Sequence, residues 1–343
     1  MARRLPIYFV LDCSESMIGT ALTQVEGLVG TVVRALRTDP QALETVHLGV
    51  IAYAGVAKVI APLAPVLTFQ VPTLPVGGGT NLGVAIELLM QELGTSLVRN
   101  TPERRGDWKP VIYLFTDGRP TDDPGPAIER WRKNWGTKAS IVAVGFGKGA
   151  DLSTLRRLTE SVFLFEQSSD VDFKKFVDWV SNSMLTQSQR VEAGGPTTVA
   201  SPDEQVVKKA PETTTLSADE QVVSFVGRCS RTKAPYLLKY DLRRGGSERA
   251  GHEPGQYELD KGYTLTEDYF AWSGKDALTT QVNTTQLDNF PSCPNCPNPV
   301  AFGRCGCGEL TCSTFGMEFV CPWCEQKVVF GAVDNFNVKR GRG

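Results

Sequence analysis

From residue 1 to about 186, short apolar runs alternate with amphipathic stretches, and this alternation limits the possible folds more than any other feature of the chain. The runs lie at 7–11, 46–53, 111–116, 140–146 and 161–165. They are rich in Val, Ile, Phe and Tyr and have the length of buried strands. Between them, 21–36, 82–97, 126–135, 152–158 and 173–184 carry apolar residues at helical spacing. Strands that are apolar on both faces need helices on both sides. The pattern therefore predicts an α/β fold, doubly wound around a mostly parallel sheet. Residues 57–61 follow the second strand after Ala54-Gly55 and should fold back as an antiparallel edge, which makes six strands.

The character changes after 186. Residues 187–220, including 194-GGPTTVASPDEQVVKKAPETTTLSADE-220, are rich in Pro, Thr, Ser and charge without a sustained period, and read as a flexible linker. Strand-like pieces follow at 222–228, 236–242 and 263–270, then a cysteine cluster and a Gly-rich tail. Three segments are expected: an α/β domain at 1–186, the linker at 187–220, and a small β-rich, zinc-ribbon-like domain at 221–343. A net charge of -2 gives no electrostatic case for a nucleic-acid or membrane-surface binder. Arg3-Arg4 and the apolar run 5–11 look superficially like a signal peptide. The run is too short, no small-residue cleavage site follows, and no segment reaches the roughly 18 apolar residues of a membrane span. The expectation is a cytoplasmic chain whose paired cysteines are metal ligands rather than disulfides.

Three pieces of the first domain carry oxygen ligands where a strand ends. Asp12, Ser14 and Ser16 follow the first strand, Thr80 sits in 77-GGGTNL-82, and Asp117 closes 111-VIYLFTDG-118. In an open parallel sheet such loops converge on one crevice. Two carboxylates and three hydroxyls form a hard-oxygen set of the kind Mg²⁺ prefers, with a coordination position left for water or an outside carboxylate. The glycines at 77–79 allow a sharp bend that turns Thr80 inward.

These residues resemble the von Willebrand factor A domain over 5 to about 186: D-x-S-x-S at 12–16, a Thr in a Gly-rich loop at 80, and T-D-G at 116–118. The resemblance implies a metal-ion-dependent adhesion site built from Asp12, Ser14, Ser16, Thr80 and Asp117. It also implies divalent-metal-dependent protein binding, with a partner's Glu or Asp completing the coordination. Intrinsic catalysis fits poorly. A nucleophilic Cys13 or Ser14 needs a base, and the two histidines, His47 and His252, sit within a strand and beyond the linker. The glycines at 77–79 lack the Gly-Lys-Ser/Thr ending of a P-loop.

Eight of nine cysteines follow residue 228. Two C-P-x-C knuckles, Cys293/Cys296 and Cys321/Cys324, present two thiolates each and together complete a zinc tetrahedron. Cys305, Cys307 and Cys312 remain, with Cys229 as fourth ligand of a second zinc and His252 as the alternative. The partition stays open, since Cys305 or Cys312 can instead share a zinc with a knuckle. Closed sites of this kind are structural.

An N-terminal von Willebrand A domain before an eight-ligand cysteine module resembles the TerY family of bacterial tellurium-resistance systems. The resemblance is carried by 226-VGRCSRTKAPYLLKYDL-242, the cluster, and 334-DNFNVKRGRG-343. It implies a cytoplasmic, non-enzymatic scaffold in tellurite, chemical-stress and phage resistance. Its partners would be other Ter proteins, together with an associated kinase and a protein phosphatase 2C-like enzyme. Two rival readings are a zinc-ribbon nucleic-acid adaptor and a regulatory subunit of a kinase/phosphatase complex. The cluster's Arg304 and Lys327, against Glu309, Glu318 and Glu325, argue against the first.

Overall fold

A computed structural model describes residues 3–117, 120–146, 152–165, 170–192, 207–209, 222–243, 256–274, 281–331 and 335–341. In the first half the elements run β1 (Leu5–Asp12), α1 (Thr20–Leu36), α2 (Pro40–Thr45), β2 (Val46–Tyr53), β3 (Ala57–Pro65), α3 (Leu82–Ser96), β4 (Val111–Thr116), α4 (Gly125–Asn134), β5 (Ser140–Phe146), α5 (Ser153–Leu158), β6 (Val162–Phe165) and α6 (Asp170–Glu192). The strands form one sheet in the order β3-β2-β1-β4-β5-β6, with β3 antiparallel at the edge as the sequence pattern requires.

One expectation needs correcting. The sheet has seven strands, because β7 (Val207–Lys209) pairs antiparallel with β6. This strand belongs to the stretch read as linker. Its Val-Val-Lys-Lys is too short to show a period, and only the unpaired edge of β6 gives it a place. Between Glu192 and Gln221 only β7 lies within the described residues.

β1 is buried at all eight positions. Successive side chains point to opposite faces. Ile7, Phe9 and Leu11 enter the core beneath α1 and α6, whereas Tyr8 and Val10 enter the one beneath α3, α4 and α5. Phe9 is tilted against Tyr113 and stacked on Phe115, at ring-centroid distances of 6.2 and 6.3 Å. Phe9→Ala should therefore cost about 3–5 kcal/mol, the usual range for a buried aromatic cut to Ala. The measurement is a lowered urea midpoint for the first half's unfolding transition. From β1 the chain moves first to β2 and β3 on one side, then returns to place β4 on the other. The switch point thus lies between β1 and β4, where the carboxyl ends of neighbouring strands leave a crevice.

The second half is β8 (Val222–Arg228), β9 (Pro235–Leu242), β10 (Tyr257–Thr264), α7 (Asp268–Trp272), β11 (Gln281–Asn283), β12 (Leu287–Asp288), β13 (Val300–Arg304), β14 (Leu310–Ser313), β15 (Glu318–Val320), β16 (Lys327–Val329) and β17 (Asn337–Lys339). Its main sheet has the order β12-β10-β9-β8-β14-β13, and β11–β17 and β15–β16 form two small ladders. Phe225, Tyr236, Leu238, Tyr240 and Phe302 fill its core. The strand expected at 263–270 ends at Thr264, and α7 follows. Glu267 and Asp268 put negative charge at that helix start, which favours the turn.

The two halves meet along a buried seam beside the crevice. Ile18 from the loop after β1 packs with Leu237, Leu265 and Tyr269 of the second half, flanked by Val76 and Val226. Polar bonds frame it. The Gly78 amide donates to Ser273 Oγ at 2.8 Å, the Gly274 amide to the Gly78 carbonyl at 3.0 Å, and the Val56 amide to the Trp272 carbonyl at 3.3 Å. A Cβ at Gly77 would lie 2.6 Å from Trp272, so this glycine serves close approach across the seam.

Candidate metal centres

The oxygen cluster forms where β1 and β4 end. The Ser14 amide donates to Asp12 Oδ1 at 2.9 Å, which folds the chain back on the strand end. Ser14 Oγ and Ser16 Oγ lie 3.0 Å apart, and Ser16 Oγ donates to Asp117 Oδ1 at 2.9 Å. Asp12, Ser14, Ser16 and Asp117, although separated by up to 105 positions, therefore form one bonded group. Thr80 arrives by a different route. Its loop is tied to the first by Gly77 N–H donating to the Cys13 carbonyl at 3.0 Å, and turns at Gly79, whose φ of 99° favours glycine. Main-chain and hydroxyl bonds with Thr121 hold Thr80 itself.

Asp12, Ser14 and Thr80 are buried, whereas Ser16 and Asp117 are partly exposed, so the open side belongs to the last two. Burial, and then the neighbouring charge of Asp117, push the Asp12 carboxyl up to about 7. A buried carboxylate beside a second one calls for a cation. Tyr53, which pairs with Asp12 across β1 and β2, has a fully buried hydroxyl with no hydrogen-bond partner among the described residues. The donor set is all oxygen, and it suits Mg²⁺.

Sequence reasoning passed over Thr116 and Thr121. Thr116 Oγ1 donates to Asp12 Oδ2 at 2.6 Å, and Thr121 Oγ1 donates to Asn81 Oδ1 at 2.8 Å. The first stands in the T-D-G motif itself; the second lies in the loop between β4 and α4. In the same loop Asp122 accepts from the Val84 amide at 3.2 Å, at the start of α3. Arg119 and His252 lie outside the described residues.

The conspicuous Cys13 is fully buried, with Sγ directed to the Leu11 carbonyl at 3.6 Å, and burial pushes its thiol pKa up, opposite to the need of a nucleophile. His47 pairs in register with Pro6, at the far end of β1 from Asp12, and its Nδ1 contacts the Thr45 carbonyl at 3.2 Å.

The eight cysteines of the second half form two groups, each with its four sulfurs within 4.8 Å of one another: Cys229, Cys293, Cys296 and Cys312, and Cys305, Cys307, Cys321 and Cys324. The first-choice partition, both knuckles in one site, is thereby corrected in favour of one knuckle per group. Cys312 on β14 is carried beside the Cys229 turn because β14 pairs in parallel with β8. The turn that joins β13 to β14 holds Cys305 and Cys307 at the opposite end, beside the second knuckle. Sequence spacing cannot reveal this, since it depends on which strand neighbours β8.

Both groups fit a tetrahedral ion. Four thiolates at a metal–sulfur distance of about 2.3 Å stand about 3.8 Å apart. Cys296–Cys312, Cys229–Cys312 and Cys305–Cys324 are separated by 3.7, 3.8 and 3.7 Å. N–H groups already face the sulfurs. The Ser230 amide and Asn298 Nδ2 each reach Cys312 Sγ at 3.3 Å, and the Thr232 amide reaches Cys229 Sγ at 3.4 Å. The Cys293 thiol, aided by Ser230 and Asn298, holds Cys312 down at about 4, while burial lifts Cys296 to about 11 and Cys305 to about 12. Ser230 and Asn298 carried no signal in the sequence, because any polar residue near a knuckle looks like turn surface.

Residues 7–179 match the von Willebrand factor type A domain family, and residues 219–343 match the TerY-C metal binding domain. Matrilin-1 of Mus musculus is 27% identical over 177 residues, which is 50% of this chain and 33% of matrilin-1. The chain thus spans about a third of that curated relative's length. Among solved structures, proximal thread matrix protein 1 of the mussel byssus (crystal form 2) is 15% identical, with a TM-score of 0.39 over 52% of this chain and 47% of its own. BatB of Bacteroides thetaiotaomicron is 18% identical, with a TM-score of 0.37 over 52% of this chain and 98% of its own. None of the described helices is long and apolar enough to cross a membrane.

Proposed function

This chain belongs to the von Willebrand factor type A domain family and carries a TerY-C metal binding domain, and from that premise we propose that it is a non-enzymatic, metal-dependent protein-interaction scaffold. A Mg²⁺ ion held by Asp12, Ser14, Ser16, Thr80 and Asp117 would offer an open coordination position to a Glu or Asp of the partner. Two Zn²⁺ ions, one in each cysteine group, would be structural staples of the second domain. The observation that carries this reading is the bonded group of two carboxylates and two serine hydroxyls at the switch point, open on the side of Ser16 and Asp117. The ion supplies charge to capture a carboxylate. The chain's own residues supply the cradle: Thr116 and the Ser14 amide orient Asp12, and Ser16 orients Asp117.

In the cell we place the protein in the cytoplasm, in a tellurite, chemical-stress and phage resistance system. Other Ter proteins, and an associated kinase and phosphatase, would be its partners. The support for this is the TerY-C match and the unbridged cysteines, which suit a reducing compartment. Affinity purification of the intact chain with Mg²⁺ retained should recover acidic partners that are lost with EDTA and with Asp117→Ala. Recovery of the same partners under all three conditions would overturn the proposal.

A further inference from the structure

Glu15 stands between the two serines of the oxygen cluster, points away from it, and is completely buried. Its carboxylate lies in the seam, where it accepts hydrogen bonds from Ser224 Oγ at 2.8 Å and from the Tyr269 hydroxyl. Beside it the Lys239 ammonium donates to the carbonyls of Ser16 at 2.8 Å and Ile18 at 3.1 Å. Every donor named here comes from the second domain, and every acceptor from the four residues that follow Ser14. The main chain carrying both serine hydroxyls is therefore held from outside by the other domain.

The holding element is itself braced. Tyr269 sits on α7, and the next residue, Phe270, meets Trp323 edge to face at 5.9 Å. Trp323 lies inside the second knuckle, between Cys321 and Cys324, and its Nε1 donates to the Leu310 carbonyl at 2.8 Å. Arg228 covers both rings, at 4.7 and 4.8 Å, and pairs with Glu267 at the start of α7. A short helix thus spans the distance from a cysteine tetrad to the serine loop.

We propose that α7 is a wedge by which the metal binding domain positions the adhesion site, with Glu15, Tyr269 and Lys239 as the positioning residues. Seating the second domain fixes Glu15 outward and so fixes Ser14 and Ser16 in the spacing that an ion requires. Unseating it returns a buried carboxylate to water and frees the loop. A carboxylate either bonded in the seam or hydrated gives two discrete arrangements rather than a continuum. Because coupling between binding events is reciprocal, ion binding must in turn tighten the seam. This inference rests on the metal reading given above.

The test uses the full chain and Mn²⁺ as the probe ion, with calorimetric titration and hydrogen exchange over 15–18 and 268–274. The pair Tyr269→Phe with Ser224→Ala removes both hydroxyl donors and keeps the tyrosine ring. It should weaken Mn²⁺ binding about fivefold or more, the lower edge of ordinary site-to-site coupling. In the wild type, Mn²⁺ should slow exchange over 268–274, which a merely structural seam would not do. The inference is overturned if the pair speeds exchange at the seam while Mn²⁺ affinity stays within twofold. It also falls if the pair leaves seam exchange unchanged, or if Mn²⁺ binds without slowing exchange over 268–274 in the wild type. A wild type that takes up no Mn²⁺ would remove the metal reading, and this inference with it, whatever the seam does.

Discussion

Replacing Cys312 by serine should unfold most of the second domain, whereas replacing Cys307 should loosen only the second knuckle and what rests on it, the β15–β16 ladder and α7. Cys312 is buried on β14 and draws together the Cys229 turn, the first knuckle and the main sheet. A structural zinc site binds with about 10–16 kcal/mol, which equals or exceeds the entire stability of a typical domain. Losing one of its four thiolates leaves two buried sulfurs and a half-buried one with no ion to hold. Cys307 is exposed and belongs to the group that ties the β13–β14 turn to the second knuckle. The two variants can be read by zinc analysis, with two zinc ions per chain expected in the wild type and one in Cys307→Ser. Hydrogen exchange in β8 and β9 supplies the second reading. Protection there should survive in Cys307→Ser and disappear in Cys312→Ser. Equal, small losses in both would mean that the sheet does not depend on its metal.

Asp12→Asn should abolish the stabilisation that Mg²⁺ gives the first domain without destabilising the metal-free protein. Asp12 is fully buried, beside a second carboxylate, and removing its charge relieves a repulsion as well as a desolvation cost. The amide keeps an oxygen for the Ser14 amide, and the Thr116 hydroxyl can rotate to accept. Metal-free stability should then stay within about 1 kcal/mol of wild type or rise above it. Wild type at Mg²⁺ a hundred times its dissociation constant should gain about 2.7 kcal/mol. Thermal shifts with and without Mg²⁺ give both numbers. A variant that still gains stability from Mg²⁺ would show that the ion binds elsewhere.

Much of this could be read from the chain alone, and the reasons are local. The strands β1, β2, β4 and β5 were evident because a strand covered on both faces must be apolar throughout. The helices between them were evident because one face of each must be apolar. Asp12, Ser14 and Ser16 were conspicuous because polar atoms at the end of such a strand interrupt a run that otherwise continues into the core. Elements with too few residues to show a period stayed hidden. β7 has three residues and exists because β6 offers an edge, and α7 has five and exists because Tyr269 and Phe270 find partners on opposite sides.

The sequence by itself determined the layer order of the first domain and the residue types that gather in the oxygen cluster and in the two cysteine groups. Those follow from periodicity and donor chemistry, which are properties of residues and their near neighbours. Tertiary structure alone decided which cysteines are grouped together, because β14 happens to lie against β8. It alone decided that Glu15 faces the second domain while the Ser14 and Ser16 hydroxyls meet each other and Asp117. Whether a buried carboxylate is tolerable depends on donors 209 and 254 positions away, and only the folded chain brings them there.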